Sequence, residues 1–96
     1  MDIRNTGYSR VGYTEGDNIK DNFGTRIGWV EGNDIRNNYG SKIGYMDGND
    51  IRNTSGNRVG YIDGNDIRNP SGSRVGYFDG GEKNLAGAAG LLLLLQ

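Results

Sequence analysis

Asp50-Ile51-Arg52-Asn53-Thr54-Ser55-Gly56-Asn57-Arg58-Val59-Gly60-Tyr61-Ile62-Asp63-Gly64-Asn65 is one copy of a sixteen-residue unit that the chain writes five times. Ile3, Ile19, Ile35, Ile51 and Ile67 keep that spacing, as do Val11, Ile27, Ile43, Val59 and Val75. Within the unit, Ile51-Arg52-Asn53 reads as a short strand. Asn53 to Gly56 reads as a three-residue hairpin loop, a type I turn ending in a left-handed glycine bulge. Gly24, Gly40, Gly56 and Gly72 take that last position, and Pro70 stands where a φ near −65° is wanted. The first copy differs, with Gly7-Tyr8 at this point. Arg58 to Ile62 is the second strand. Asp63-Gly64 then reads as a two-residue turn with φ > 0 at both residues.

A fixed period implies one small unit, copied, each copy leaning on its neighbours. Isolated two-stranded hairpins are marginal, so the expected fold is all-β: five 16-residue hairpins in a flower-like ring or short solenoid, followed by a C-terminal apolar helix. Alternation puts Val59 and Tyr61 on one face, with Ile51 able to join them, and Arg58, Gly60 and Ile62 on the other. Gly12, Gly28, Gly44, Gly60 and Gly76 lie mid-strand, where glycine marks the close approach of a backbone or an aromatic ring.

The period stops after Gly81, which divides residues 1–81, the hairpin domain, from residues 82–96, an apolar tail. Asn84 reads as a helix N-cap. Leu85, Leu91, Leu92, Leu93, Leu94 and Leu95 are its large side chains. A helix that is apolar all round must be surrounded. About 16 Å of helix is too short for a hydrocarbon core of about 30 Å, so no transmembrane span is expected. Three fates stay open for the tail: plugging its own ring, inserting into another copy, or associating with a membrane.

Glycine supplies 18 of 96 residues, and locked to the period it reads as turn chemistry rather than disorder. The net charge of −1 gives no electrostatic footprint for nucleic acid or anionic lipid. There is no Cys and no His, which removes thiolate chemistry, the commonest general base and the commonest metal ligand. No cofactor and no metal are expected. Asp47-Gly48-Asn49-Asp50 lacks the carboxylates and bidentate Glu of a calcium loop and reads as turn chemistry. Ser9, Ser41, Ser55, Ser71 and Ser73 have no base to activate them. The basic rows at positions 4, 20, 36, 52 and 68, and at 10, 26, 42, 58 and 74, read as cross-strand partners for the turn acids. Tyr13, Trp29, Tyr45, Tyr61 and Tyr77 form an aromatic row that packs the hairpins or, alternatively, stacks a sugar. Residues 1–20 show no charged segment followed by an apolar one, so no signal peptide is expected in this chain.

The period, the Arg58-Val59-Gly60-Tyr61 core with its Asp63-Gly64-Asn65 turn, the five copies and the closing leucine run together resemble the five-fold β-flower proteins of gut bacteria. That resemblance covers essentially the whole chain. It implies five hairpin petals around a pseudo-five-fold axis, and an extracellular or cell-surface setting. It brings no established activity. A weaker likeness, through Gly28-Trp29 and Gly44-Tyr45, runs to hairpin repeats that bind choline or cell-wall sugar, although those are richer in Trp. The expected function is a non-enzymatic, self-associating structural protein, a filament or assembly subunit whose tail docks in its own ring or in a neighbour. The alternative is a carbohydrate- or wall-binding module using the aromatic row.

Overall fold

The computed structural model describes residues 1–95, so Gln96, the last residue of the tail, lies outside the described residues. Each unit forms a short strand and a longer one: β1 (Asp2–Asn5), β2 (Arg10–Glu15), β3 (Asn18–Asp21), β4 (Arg26–Glu31), β5 (Asp34–Asn37), β6 (Lys42–Asp47), β7 (Asp50–Asn53), β8 (Arg58–Asp63), β9 (Asp66–Arg68) and β10 (Arg74–Phe78). Every strand pairs antiparallel with its sequence neighbours, and β1 pairs with β10. The ring is therefore closed and the solenoid alternative falls away. Closure leaves no unpaired edge, which a chain of this size could not easily cover otherwise. Extents of 31 × 30 × 20 Å describe a disc, two equal axes and one short, as five petals about one axis require.

Up-and-down topology puts the two kinds of turn at opposite ends of the barrel. At the tip end, Asn53 accepts a backbone hydrogen bond from Gly56 (3.0 Å), and its side-chain oxygen accepts from the amides of Ser55 and Asn57. That Asx bracket recurs in each petal, with Asp21 in place of Asn in the second. Gly56 has φ 87°, and Tyr8 (φ 69°) takes this left-handed place in the first petal. At the return end the expected turn is corrected. Asp63 pairs with Asp66, so the two central residues are Gly64-Asn65 rather than Asp63-Gly64. Only the glycine has positive φ (63°), the type II′ pattern.

The assignment of faces is also corrected. Arg52 pairs with Arg58 and Ile51 with Gly60, which leaves Val59 as an extra, bulged residue. The same bulge recurs in every petal. It sets Ile51 on the inner face with Gly60 and Ile62, and Tyr61 on the outer wall. It also turns Arg58 to the outside, over the Tyr61 ring (4.8 Å), where plain alternation sends it inward. Val59, half-buried, packs against the core from the rim.

The core is layered. Ile3, Ile19, Ile35, Ile51 and Ile67 are fully buried, one per petal. A second inward row is varied, with Val30, Met46, Ile62 and Phe78 buried and Thr14 half-buried. Helix α1 (Lys83–Gly90) enters at the return end and runs along the axis, with Ala86 to Gly90 all buried. Its N-cap is Glu82, without a side-chain cap. Asn84, expected as the cap, lies inside the first turn and donates instead to the Asn33 side chain (2.8 Å) across the mouth of the barrel. Leu91–Leu95 continue as a π-helical turn.

Candidate functional site

Wall and axis are complementary along the whole barrel. Where the wall is bulky, the helix is small: a Cβ on Gly87 would collide with the Met46 thioether, and one on Gly90 would lie 2.9 Å from Ile67 Cγ2. Where the wall is small, the axis is bulky. A Cβ on any of the five mid-strand glycines would fall 2.6–2.9 Å from a leucine methyl of the tail. The pairing is one to one: Leu91 lies on Gly44, Leu92 on Gly28, Leu93 on Gly12, Leu94 on Gly76 and Leu95 on Gly60. Successive leucines therefore step round the ring one petal at a time. An α-helix advances about 100° per residue and overshoots a five-fold ring at every step. The wider i→i+5 winding of a π-helix comes closer to five side chains per turn, and that is the geometry found at Leu91–Leu95. The same glycines also admit the neighbouring petal's backbone: a Cβ on Gly60 would stand 2.7 Å from the Arg68 carbonyl oxygen.

The leucines close the tip end of the barrel without being covered. Leu91 is buried, whereas Leu92 to Leu95 are half-buried. Around them the tip turns carry Phe23 and Tyr39, 94% and 93% exposed, and Tyr8, 67% exposed. Single exposed apolar residues are ordinary, but the Tyr39 ring beside Leu92 joins an exposed aromatic to the plug. Thr25, Arg26, Ile27, Asn37, Tyr39 and Leu92 line a hollow of about 420 Å³ there. Sequence reasoning picked out the leucines but not Phe23, Tyr39 or Tyr8. Their signal was present: Phe23 and Tyr39 stand at turn positions that hold Ser55 and Ser71 in the later copies, and Tyr8 stands where those copies have Gly56 and Gly72.

The aromatic row lies apart from this mouth, on the outer wall. Each ring has a cation from its own petal over it: Arg10 on Tyr13, Arg26 on Trp29, Lys42 on Tyr45, Arg58 on Tyr61 and Arg74 on Tyr77, at 4.6–5.4 Å. The far edge of each ring rests on the next petal's tip turn, Tyr61 on Gly72 and Trp29 on Gly40. Tyr77 meets Tyr8 edge-on at 5.9 Å, since Tyr8 replaces the glycine there. The rings thus join petal to petal.

The other basic row is tied to acids. Arg52 reaches Asp47 (3.1 Å) and Asp50 (3.2 Å) and donates to the Gly56 carbonyl (2.9 Å). Arg68 repeats this with Asp63, Asp66 and Gly72, and Arg36 Nε meets Glu31 at 2.6 Å. Lys20 donates to Glu15 at 2.9 Å, and that bond, aided by the carboxylate charge, holds its pKa above the ordinary 10.5. Among the described residues no three acidic, His or Cys side chains gather as a metal site would require. No helix among them is long and apolar enough to cross a membrane.

A family model described as "5-fold beta-flower protein" matches residues 1–92. Neither the curated proteins nor the solved structures searched contain a match to the chain.

Proposed function

From a chain that belongs to the 5-fold beta-flower family, we propose a non-enzymatic structural protein that associates with copies of itself through the leucine-plugged tip end. The supporting observation is the half-buried Leu92–Leu95 plug, with Tyr39 beside Leu92 and Phe23 fully exposed on the adjacent tip turn. The barrel interior is filled by its own helix, which leaves no room there for a substrate. The tail sits in its own ring, so self-association uses its outward side, with no exchange of tails. Sugar binding by Tyr13, Trp29, Tyr45, Tyr61 and Tyr77 draws less support, because a cation already covers a face of every ring.

The test is light-scattering mass of the full chain beside Phe23→Asp/Tyr39→Asp. Both sites are exposed turn positions, so the fold is retained. Concentration-dependent assemblies in the parent and monomers in the variant are expected. Identical masses would end the proposal.

A further inference from the structure

Charge is sorted along the barrel axis, a feature that a net charge of −1 conceals. Arg52 and Arg58 lie at the tip-side ends of β7 and β8; Asp50 and Asp63 lie at the return-side ends of the same strands. The other petals repeat the order, with Lys for Arg and Glu for Asp in places, except that Asn18 stands at the Asp50 position in the second. Among the described side chains, Asp21 is the one acid on the tip side and Lys83 the one cation on the return side, where the Met1 backbone also lies. The ion pairs of the wall therefore all point the same way, and they add along the axis instead of cancelling.

The two ends also differ in shape. The tip end is apolar at its centre and carries the exposed Phe23 and Tyr39 rings, with the hollow of about 420 Å³ between Tyr39 and Leu92. The return end holds a hollow of about 340 Å³, with Ile62 and Phe78 at its apolar wall and Asn49, Asp63, Asn65 and Lys83 around it. A projecting apolar group facing a pocket elsewhere on the same molecule makes a heterologous contact that does not close. We infer that the tip end of one copy docks on the return end of a second copy, stacking the discs head to tail, with Phe23 as the group that enters the Ile62–Phe78 hollow. Charge favours this direction: a cationic rim meets an acidic one. Tip-to-tip pairing would set cationic rims against each other. The inference rests on the self-association proposed above and fixes its partner surface.

Two full-length variants test it. The tip-blocked chain carries Phe23→Asp and Tyr39→Asp; the return-blocked chain carries Asn49→Lys and Asp63→Lys. Head-to-tail docking predicts that each is monomeric alone. Mixed, they form a particle of twice the 10.5 kDa chain mass and grow no further. A dimer of the return-blocked chain alone, with no mixed particle, would show tip-to-tip pairing; self-association would survive and the head-to-tail inference would fall. A parent chain that stays monomeric at every concentration would remove both, as would a monomeric parent that binds only anionic phospholipid vesicles. Trp29 emission checks that the variants are folded. The parent's salt response needs no variant. Stacking of opposite rims weakens about tenfold in Kd between about 0.05 and 0.5 M NaCl, because the Debye length shrinks. Tightening with salt would overturn it.

Discussion

Gly60 shows how little space each wall position has. A methyl there meets both the Arg68 carbonyl oxygen and Leu95 Cδ1 at 2.7 Å. Gly60→Ala should cost about 3 kcal/mol in denaturant unfolding, the upper part of the usual overpacking range. Adding Leu95→Ala should recover only part of it, because the carbonyl belongs to a hydrogen-bonded strand and cannot withdraw. Full recovery would mean that the leucine alone makes the constraint. Lys20 offers a second residue-scale check. Its folded pKa is raised above 10.5 by the bond to Glu15. The pair's stabilisation is therefore complete below the ordinary lysine pKa and is lost as pH climbs through the raised value. In Glu15→Gln the Lys20 titration midpoint, followed by NMR of its ε-protons, should move down. An unmoved midpoint would mean that the ion pair does not form in solution.

The elements show what was legible before the structure and what was not. Hairpins, tip turns and period follow from local chemistry: glycine and Asx at turns, β-branched and aromatic residues between them. The inner face of each petal was not legible. It depends on a bulge at Val59, and a bulge is a property of two strands in register rather than of either strand alone. The return turn failed for a related reason, since Asp63-Gly64 and Gly64-Asn65 are both good turn pairs and only strand register chooses between them. Helix α1 is legible as a helix, yet its small residues find their reason only in the isoleucines around them. Gly87→Ala should lose about 1–3 kcal/mol through overpacking against Met46. Combined with Met46→Val the loss should shrink, a coupling visible in a double-mutant cycle. Strict additivity would place Met46 elsewhere. The leucine run obeys count as well as composition. Deleting one leucine leaves a petal glycine uncovered, and should destabilise the barrel by about 2–4 kcal/mol in thermal unfolding, comparable to a leucine-to-alanine cavity.

At the scale of the molecule, closure and the axial helix make the five petals one cooperative unit. In open repeat arrays stability adds up from nearest neighbours. Here every petal also borders the same helix, as the α1 contacts with β2, β4, β6, β8 and β9 show. Removal of one whole repeat, residues 49–64, should abolish cooperative unfolding rather than lower its midpoint, because a four-petal ring cannot enclose α1. A sharp transition in that deletion, followed by Trp29 fluorescence, would contradict this. The varied inward row belongs to the same scale. A helix with 3.6 residues per turn cannot present one surface to five petals. Thr14, Val30, Met46, Ile62 and Phe78 differ in size where the Ile and Gly rows stay constant, and so take up the mismatch.

Period, turn chemistry and composition already determine five hairpins, an apolar closing segment and the absence of thiol and imidazole chemistry, because each of these is written within a few neighbouring residues. Ring closure, the facing of Ile51 inward and Tyr61 outward, the match of five leucines to five glycines, and the sorting of charge between the two ends arise only in the tertiary structure. Closure and the leucine match join residues from different petals, while facing and charge sorting depend on the register between strands, and neither the register nor the axial packing is written in any one segment.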